Sequence, residues 1–302
     1  MAQPVIALTY ESPYDPTDPT RSTLVPEAKV AMEAALAPVD DTLRAIARLA
    51  DAAAVDEKAR HCVLEALNGW AKADALSDLQ SQQVRLTIGA RLAGFALVAR
   101  RLEVDPLEIN QTTEWLTRRA KEQMAFWGDA APQSARTGNL MGWTALAVWT
   151  VGELVQSDQM KSWAEQRAGA ILVRANDDGS LPTEMARGKF ALHYQLHALS
   201  PLVTMRALGA DLPCDAALRS AVEFALSDLE TGAASMRHAG FMQSYFDGTE
   251  RLDPHELAFL EAYLSFETSP QIEQRIKDLR PLKNSKLGGN QSQIWRRETA
   301  GD

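Results

Sequence analysis

An amide, a guanidinium and a phenol stand in two segments of this 302-residue chain, RTGNLMGWTALAVW (Arg136–Trp149) and DDGSLPTEMARGKFALHYQLHALSPL (Asp177–Leu202). Arg187 and Tyr194 are seven residues apart. On a continuous helix that is two turns, which puts both side chains on one face, while Asn139 heads an earlier apolar segment. A planar, permanently charged fork and an amide can bind a carboxylate and hold the enolate-like species formed when a proton beside it is lost. A phenol, with an ordinary pKa near ~10, can move that proton if a neighbouring arginine favours its anion. Asn139 follows Gly138 and also suits a helix N-cap, and one residue can fill both places.

The residues around this trio extend the pattern. Asn139, Trp143, Gly179, Leu181, Pro182, Glu184, Arg187 and Tyr194 resemble the motif of the alginate lyases that depolymerise poly-mannuronate by β-elimination, which reads Asn-His-Ser-Tyr-Trp, then Gly-x-Leu-Pro-x-Glu, then Arg, then Tyr seven residues on. Upstream, Arg21-Ser-Thr-Leu24 and Leu67-Asn-Gly-Trp70-Ala-Lys72-Ala-Asp74-Ala-Leu76 are similar to the family's N-terminal helices, so the likeness runs from about Tyr10 to about Tyr263. The resemblance implies an incomplete (α/α) toroid with a groove across one end and an acidic polysaccharide as partner. It also implies a periplasmic or secreted location, catalysis through Asn139, Arg187 and Tyr194, and sugar binding by Tyr10, Arg21, Trp70, Lys72 and Trp143. Three positions depart from the family: its His after the Asn is Leu140, a Tyr three residues beyond the catalytic Tyr is His197, and a lid Lys is Thr9.

These departures bear on stereochemistry. In mannuronate and glucuronate the C5 hydrogen and the C4 oxygen share one ring face, so a single phenol can take the proton and return it to the leaving oxygen. Leu140 removes a base from the opposite face, which guluronate and galacturonate need. His197 shares the helical face of Tyr194 and is expected to take part, whereas His193 points roughly 100° away and reads as structural. The expected activity is a polysaccharide lyase cleaving β-mannuronan or polyglucuronate by metal-free β-elimination. The alternatives are a non-catalytic uronate-binding descendant, suggested by Leu140 and Thr9, and a helical scaffold for protein partners.

The elements that must position these groups are helices. Alanine and leucine dominate, and Val84, Ile88, Leu92, Phe95 and Leu102 recur at helical spacing. The spacing predicts an all-α single domain with helices over about 27–53, 56–77, 79–103, 105–128, 139–156, 158–175, 184–209, 214–231 and 253–265. Residues 1–26 read as an extended arm or lid (YESPYDPTDPT), 27–270 as the toroid, and 271–302 as a polar tail that wraps loosely or frays. Cys62 and Cys214 are compatible with one disulfide or with two buried thiols. No metal-ligand spacing or phosphate loop occurs, and Asp177-Asp178-Gly179 lacks the remaining ligands of a calcium loop, so no cofactor is expected. The net charge of −9 disfavours nucleic acid and anionic membrane as partners. A groove can still be locally basic, and Lys72, Arg118, Arg119, Lys121, Arg136, Arg187 and Lys189 are the candidates to line it. The start of the chain, MAQPVIAL, lacks the pattern of a signal peptide.

Overall fold

The computed structural model describes residues 2–296. Its frame is a set of helical hairpins: α1 (Pro26–Ala52) with α2 (Glu57–Lys72), then the short α3 (Gln82–Thr87) leading into α4 (Gly89–Arg100) with α5 (Asn110–Asp129). Next come α6 (Asn139–Leu154) with α7 (Asp158–Leu172), the single turn α8 (Pro182–Met185), and α9 (Ala191–Ala207) with α10 (Asp215–Asp228). After these lie α11 (Ala233–Ala239), α12 (Phe259–Tyr263), α13 (Pro270–Ile276) and α14 (Gln291–Ile294). The helices α1, α4, α6, α9 and α12 touch in that order as an inner layer, and α2, α5, α7 and α10 lie outside them, giving an incomplete α/α toroid. No described helix is long and apolar enough to cross a membrane.

The inner helices α4, α6 and α9 are apolar almost all round, as helices buried on every side must be, whereas α1 buries one face. Residues 89–99 of α4 and most of α6 and α9 are buried. Close approach needs small residues at the crossings: a Cβ on Gly142 of α6 would sit 3.2 Å from Pro201 Cγ of α9. Two of the outer helices start at a side-chain cap. Asp56 accepts from Lys58 N and Ala59 N to open α2, and Ser157 accepts from Met160 N to open α7.

Several expected boundaries shift. The expected helix 79–103 is two helices separated at Ile88, and the expected helix 184–209 is α8, a 3₁₀ turn at Gly188–Phe190, and α9. The arm is ordered without a helix because Asp18 ties it to itself, accepting from Thr20 N, Ser22 N and Thr23 N. A short β1 (Ala7–Leu8) pairs in parallel with β2 (Asp78–Leu79) and fixes the start of the arm. Cys62 and Cys214 are free and exposed, so neither expected state of the cysteines is observed.

The tail differs most from the expectation. Over its described part it is packed down, with β3 (Lys283–Asn284) and β4 (Gly289–Asn290) forming an antiparallel hairpin around a 3₁₀ turn at Ser285–Leu287. Leu282, Leu287 and Trp295 are buried. Arg280 grips the buried Glu261 of α12 with a pair of hydrogen bonds at 2.7 and 3.0 Å. Asp51 at the end of α1 accepts from Asn290 N and from Arg101, both at 3.0 Å. The tail's polar side chains bond to the body of the protein, which is why its composition resembled that of a loose end. Residues 297–302 lie outside the described residues.

Candidate active site

The centre of the site is the first two turns of α9. Gln243 fixes that end of the helix: its Oε1 accepts from Leu192 N at 2.9 Å and its Nε2 donates to Gly188 O at 3.3 Å. Gly188 has φ +54, and a Cβ there would lie 3.0 Å from both Thr20 Oγ1 and Ser22 Oγ, so the turn presses directly on the arm. Arg187 precedes the helix, which corrects the expectation of a shared helical face. The turn nevertheless folds its guanidinium back over the ring of Tyr194, 3.7 Å from the centroid. The same guanidinium donates from Nε to Thr20 O at 3.2 Å and from Nη2 to Arg21 O at 3.0 Å.

The arm reaches Tyr194 as well. Tyr14, not singled out in the sequence, shares a short hydrogen bond with the Tyr194 hydroxyl. Burial and the neighbouring Tyr194 push the Tyr14 phenol's pKa up, so Tyr14 keeps its proton. Tyr10, expected at the sugar, is 6% exposed and bonds through its hydroxyl to Thr87 Oγ1 at 2.5 Å. The YESPYDPT stretch, with its character of a lid, held the signal for Tyr14. Arg21 is exposed and meets the site through its carbonyl oxygen alone.

Asn139 is the first residue of α6, and the cap position belongs to Gly138. Its backbone N and its Nδ2 both donate to the buried Glu184, at 2.7 and 2.9 Å, leaving its own buried Oδ1 without a partner. Gly138 leaves room for this contact, since a Cβ there would lie 2.7 Å from Thr183 Cγ2 and 3.1 Å from Glu184 Oε1. Burial is the largest influence on Glu184 and raises its pKa to about 7, against the hydrogen bonds from Asn139.

Past His193 and His197, which lie against the Tyr194 ring, opens a cavity of about 480 Å³, lined by Trp143, His193, His197 and Ser200, by Arg44, Arg48 and Asp51 of α1, and by residues 283–286 of the hairpin. Trp143 Nε1 donates to His197 Nδ1 at 3.0 Å. An indole N–H can only donate, so the neutral ring carries its proton on Nε2. Burial, reinforced by the charge of Lys286, holds His197 well below the ordinary histidine range and therefore uncharged. His193, read as structural, belongs to this cluster. Its ring lies parallel to that of His197 at 6.4 Å and edge-on to Tyr194 at 5.0 Å, and its Nδ1 is 3.1 Å from Glu256 Oε1. Burial alone would raise Glu256, but hydrogen bonds from His193 and Tyr245 hold its carboxyl below the usual value.

Two further expected sugar contacts are absent from the cavity, as Tyr10 and Arg21 are. Trp70 is 2% exposed and stacks on Phe95 at 5.0 Å in the core, and Lys72 is exposed at the end of α2. The expected basic residues lie elsewhere too: Arg119 is buried against Glu122, Arg118 pairs with Asp74, and Arg136 donates to Ala131 O. The cavity's positive charges are Arg44, Arg48, Lys283 and Lys286, from the two ends of the chain.

Set beside known proteins, this fold and site define a polysaccharide lyase. Residues 6–232 match the family model described as alginate lyase, and the chain belongs to that family. It is 26% identical over 308 residues to an alginate lyase of Azotobacter vinelandii, covering 95% of this chain and 81% of the relative. It is 29% identical over 201 residues to a polysaccharide lyase of Stenotrophomonas maltophilia, covering 64% and 60%. Among solved structures, alginate lyase A1-III of Sphingomonas species A1 superposes with a TM-score of 0.74 at 21% identity over 97% of this chain and 85% of that one. A histidine-to-alanine variant of the same lyase complexed with tetrasaccharide gives 0.78 at 21% identity, over 97% and 85%.

Proposed function

We propose that the protein cleaves a 4-linked polyuronate, β-mannuronan or polyglucuronate, by β-elimination with Tyr194 as both base and acid. The stacking of the Arg187 guanidinium on the Tyr194 ring at 3.7 Å carries this reading, because it sets a permanent positive charge beside the one group able to move the proton. The Tyr194 oxygen removes the C5 hydrogen, the electron pair forms the C4=C5 double bond, the C4–O4 bond breaks, and the phenol returns the proton to O4. Arg187 neutralises the uronate carboxylate in exchange for the carbonyls of Thr20 and Arg21, so substrate entry displaces the arm. Asn139 joins it by turning its amide from Glu184, and otherwise positions the turn through that carboxylate.

His197 enters as a hydrogen-bond donor through Nε2, since its other nitrogen is taken by Trp143. No step is routed through a metal or cofactor. The proposed setting is periplasmic or secreted, where such polymers lie. The test is growth of absorbance from unsaturated uronate on mannuronan, guluronan, polyglucuronate and polygalacturonate, with wild type and Tyr194→Phe. Product from the first or third polymer that the variant fails to give supports the reading. Undiminished product from Tyr194→Phe overturns it.

A further inference from the structure

The cavity next to His193 and His197 contains a cation that the elimination does not use. Lys286 sits in the 3₁₀ turn of the C-terminal hairpin and lines the cavity with His197, Trp143 and Ser200. Among the described residues its ammonium forms no ion pair and no hydrogen bond. The carboxylates near it are already engaged: Asp40 of α1 by both arms of the Arg91 fork at 2.9 Å, and, in the cavity lining, Asp51 of α1 by Arg101 and Asn290 N and Glu256 by His193. Arg91 from α4 and Arg44 from α1 repel it, and the neighbouring His197 on α9 is uncharged. A lysine ammonium held among cations and open to a cavity is arranged to receive an anion from outside.

We propose that Lys286 is a substrate-binding residue that holds the carboxylate of the uronate next to the one being cleaved. The inference rests on the polyuronate reading of the site. Arg187 lies on the Tyr194 ring and is not among the cavity-lining residues, whereas His193 and His197, which lie against that ring at 5.0 and 6.1 Å, line the cavity with Lys286, so two successive uronates passing Tyr194 would place one carboxylate toward each cation. Each would then meet its own cation. Burial and the Arg91 charge push Lys286 down to about 8, so it is protonated at neutral pH and discharges in mildly alkaline solution, where a bound carboxylate would help retain the proton.

The experiment compares Lys286→Met, Lys286→Arg and wild type on mannuronan, with thermal unfolding to confirm that each is folded. Lys286→Met should raise KM about tenfold, the usual scale for a hydrogen bond to a charged group, with kcat within about twofold. Lys286→Arg should restore most of the loss. As pH rises past about 8, KM should climb for wild type and stay level for both variants, since one lacks the charge and the other never loses it. The second arm measures mannuronan binding by calorimetry in Tyr194→Phe with and without Lys286→Met. That arm reads Lys286 even if wild type yields no unsaturated product, in which case the lyase reading fails separately. Unchanged KM and unchanged binding on removing the lysine overturn the proposal, as does a purely kcat effect.

Discussion

At the scale of single residues, the site is built from side chains that already have partners. Arg187 is bonded to two arm carbonyls and stacked on Tyr194, so Arg187→Lys should lose both the planar contact and the second donor, and elimination should fall by roughly 10²-fold while binding of the distant polymer changes little. Equal turnover with lysine would mean that charge alone suffices. His197→Ala should lower the rate on the preferred polymer without widening the set of epimers accepted, because a ring whose Nδ1 accepts from Trp143 is a donor and not a spare base. Cleavage of polyguluronate that disappears in this variant would reverse that assignment. Arg187, Tyr194 and His197 were singled out in the sequence by a motif resemblance, and the structure brings them together although Arg187 precedes the helix. Tyr14 and Lys286 were not legible there, since their roles depend on an arm and a hairpin folding back from positions far along the chain. Trp70 and Tyr10 were misread because an aromatic in a motif looks the same whether it faces a sugar or the core.

At the scale of elements, the long helices could be read from their apolar period, and the places where the reading failed are the short ones. α11 and α13 have seven residues each and too few turns to show a period, and α8 is hidden by the turn that aims Arg187. The hairpin β3–β4 is held by Asp51 and by Gly288, which has φ +88 and whose Cβ would lie 3.0 Å from Leu97 Cβ. Gly288→Ala should therefore cost on the order of 1–2 kcal/mol from the left-handed backbone and the crowding together. It should also weaken substrate binding by displacing Lys286, visible as a lower melting temperature with a raised KM. A variant as stable and as tight as wild type would show that the turn is not what positions the lysine.

At the scale of the whole molecule, the buried Glu184 couples stability to pH. Its folded pKa of about 7 lies above the ordinary 4.5, so the folded state binds the extra proton. Its contribution is full below about pH 4.5 and is lost as pH rises through about 7, by on the order of 2–3 kcal/mol. His197 acts in the opposite sense, with stability present above its ordinary 6.5 and lost as pH falls below it. Wild type should accordingly lose stability relative to Glu184→Gln between pH 5 and 7.5, read as the slope of the difference in denaturant midpoint, and parallel curves would refute the linkage. The contact between Asn290 and Asp51 spans 239 positions, and it has a consequence for how the enzyme comes into being. Helices emerge from the ribosome in order, so α1 with its arginines is made long before the facing wall that carries Lys286. A nascent chain can close most of its ring while its cavity still lacks one side, and that side is completed only when the later hairpin folds back to the first helix.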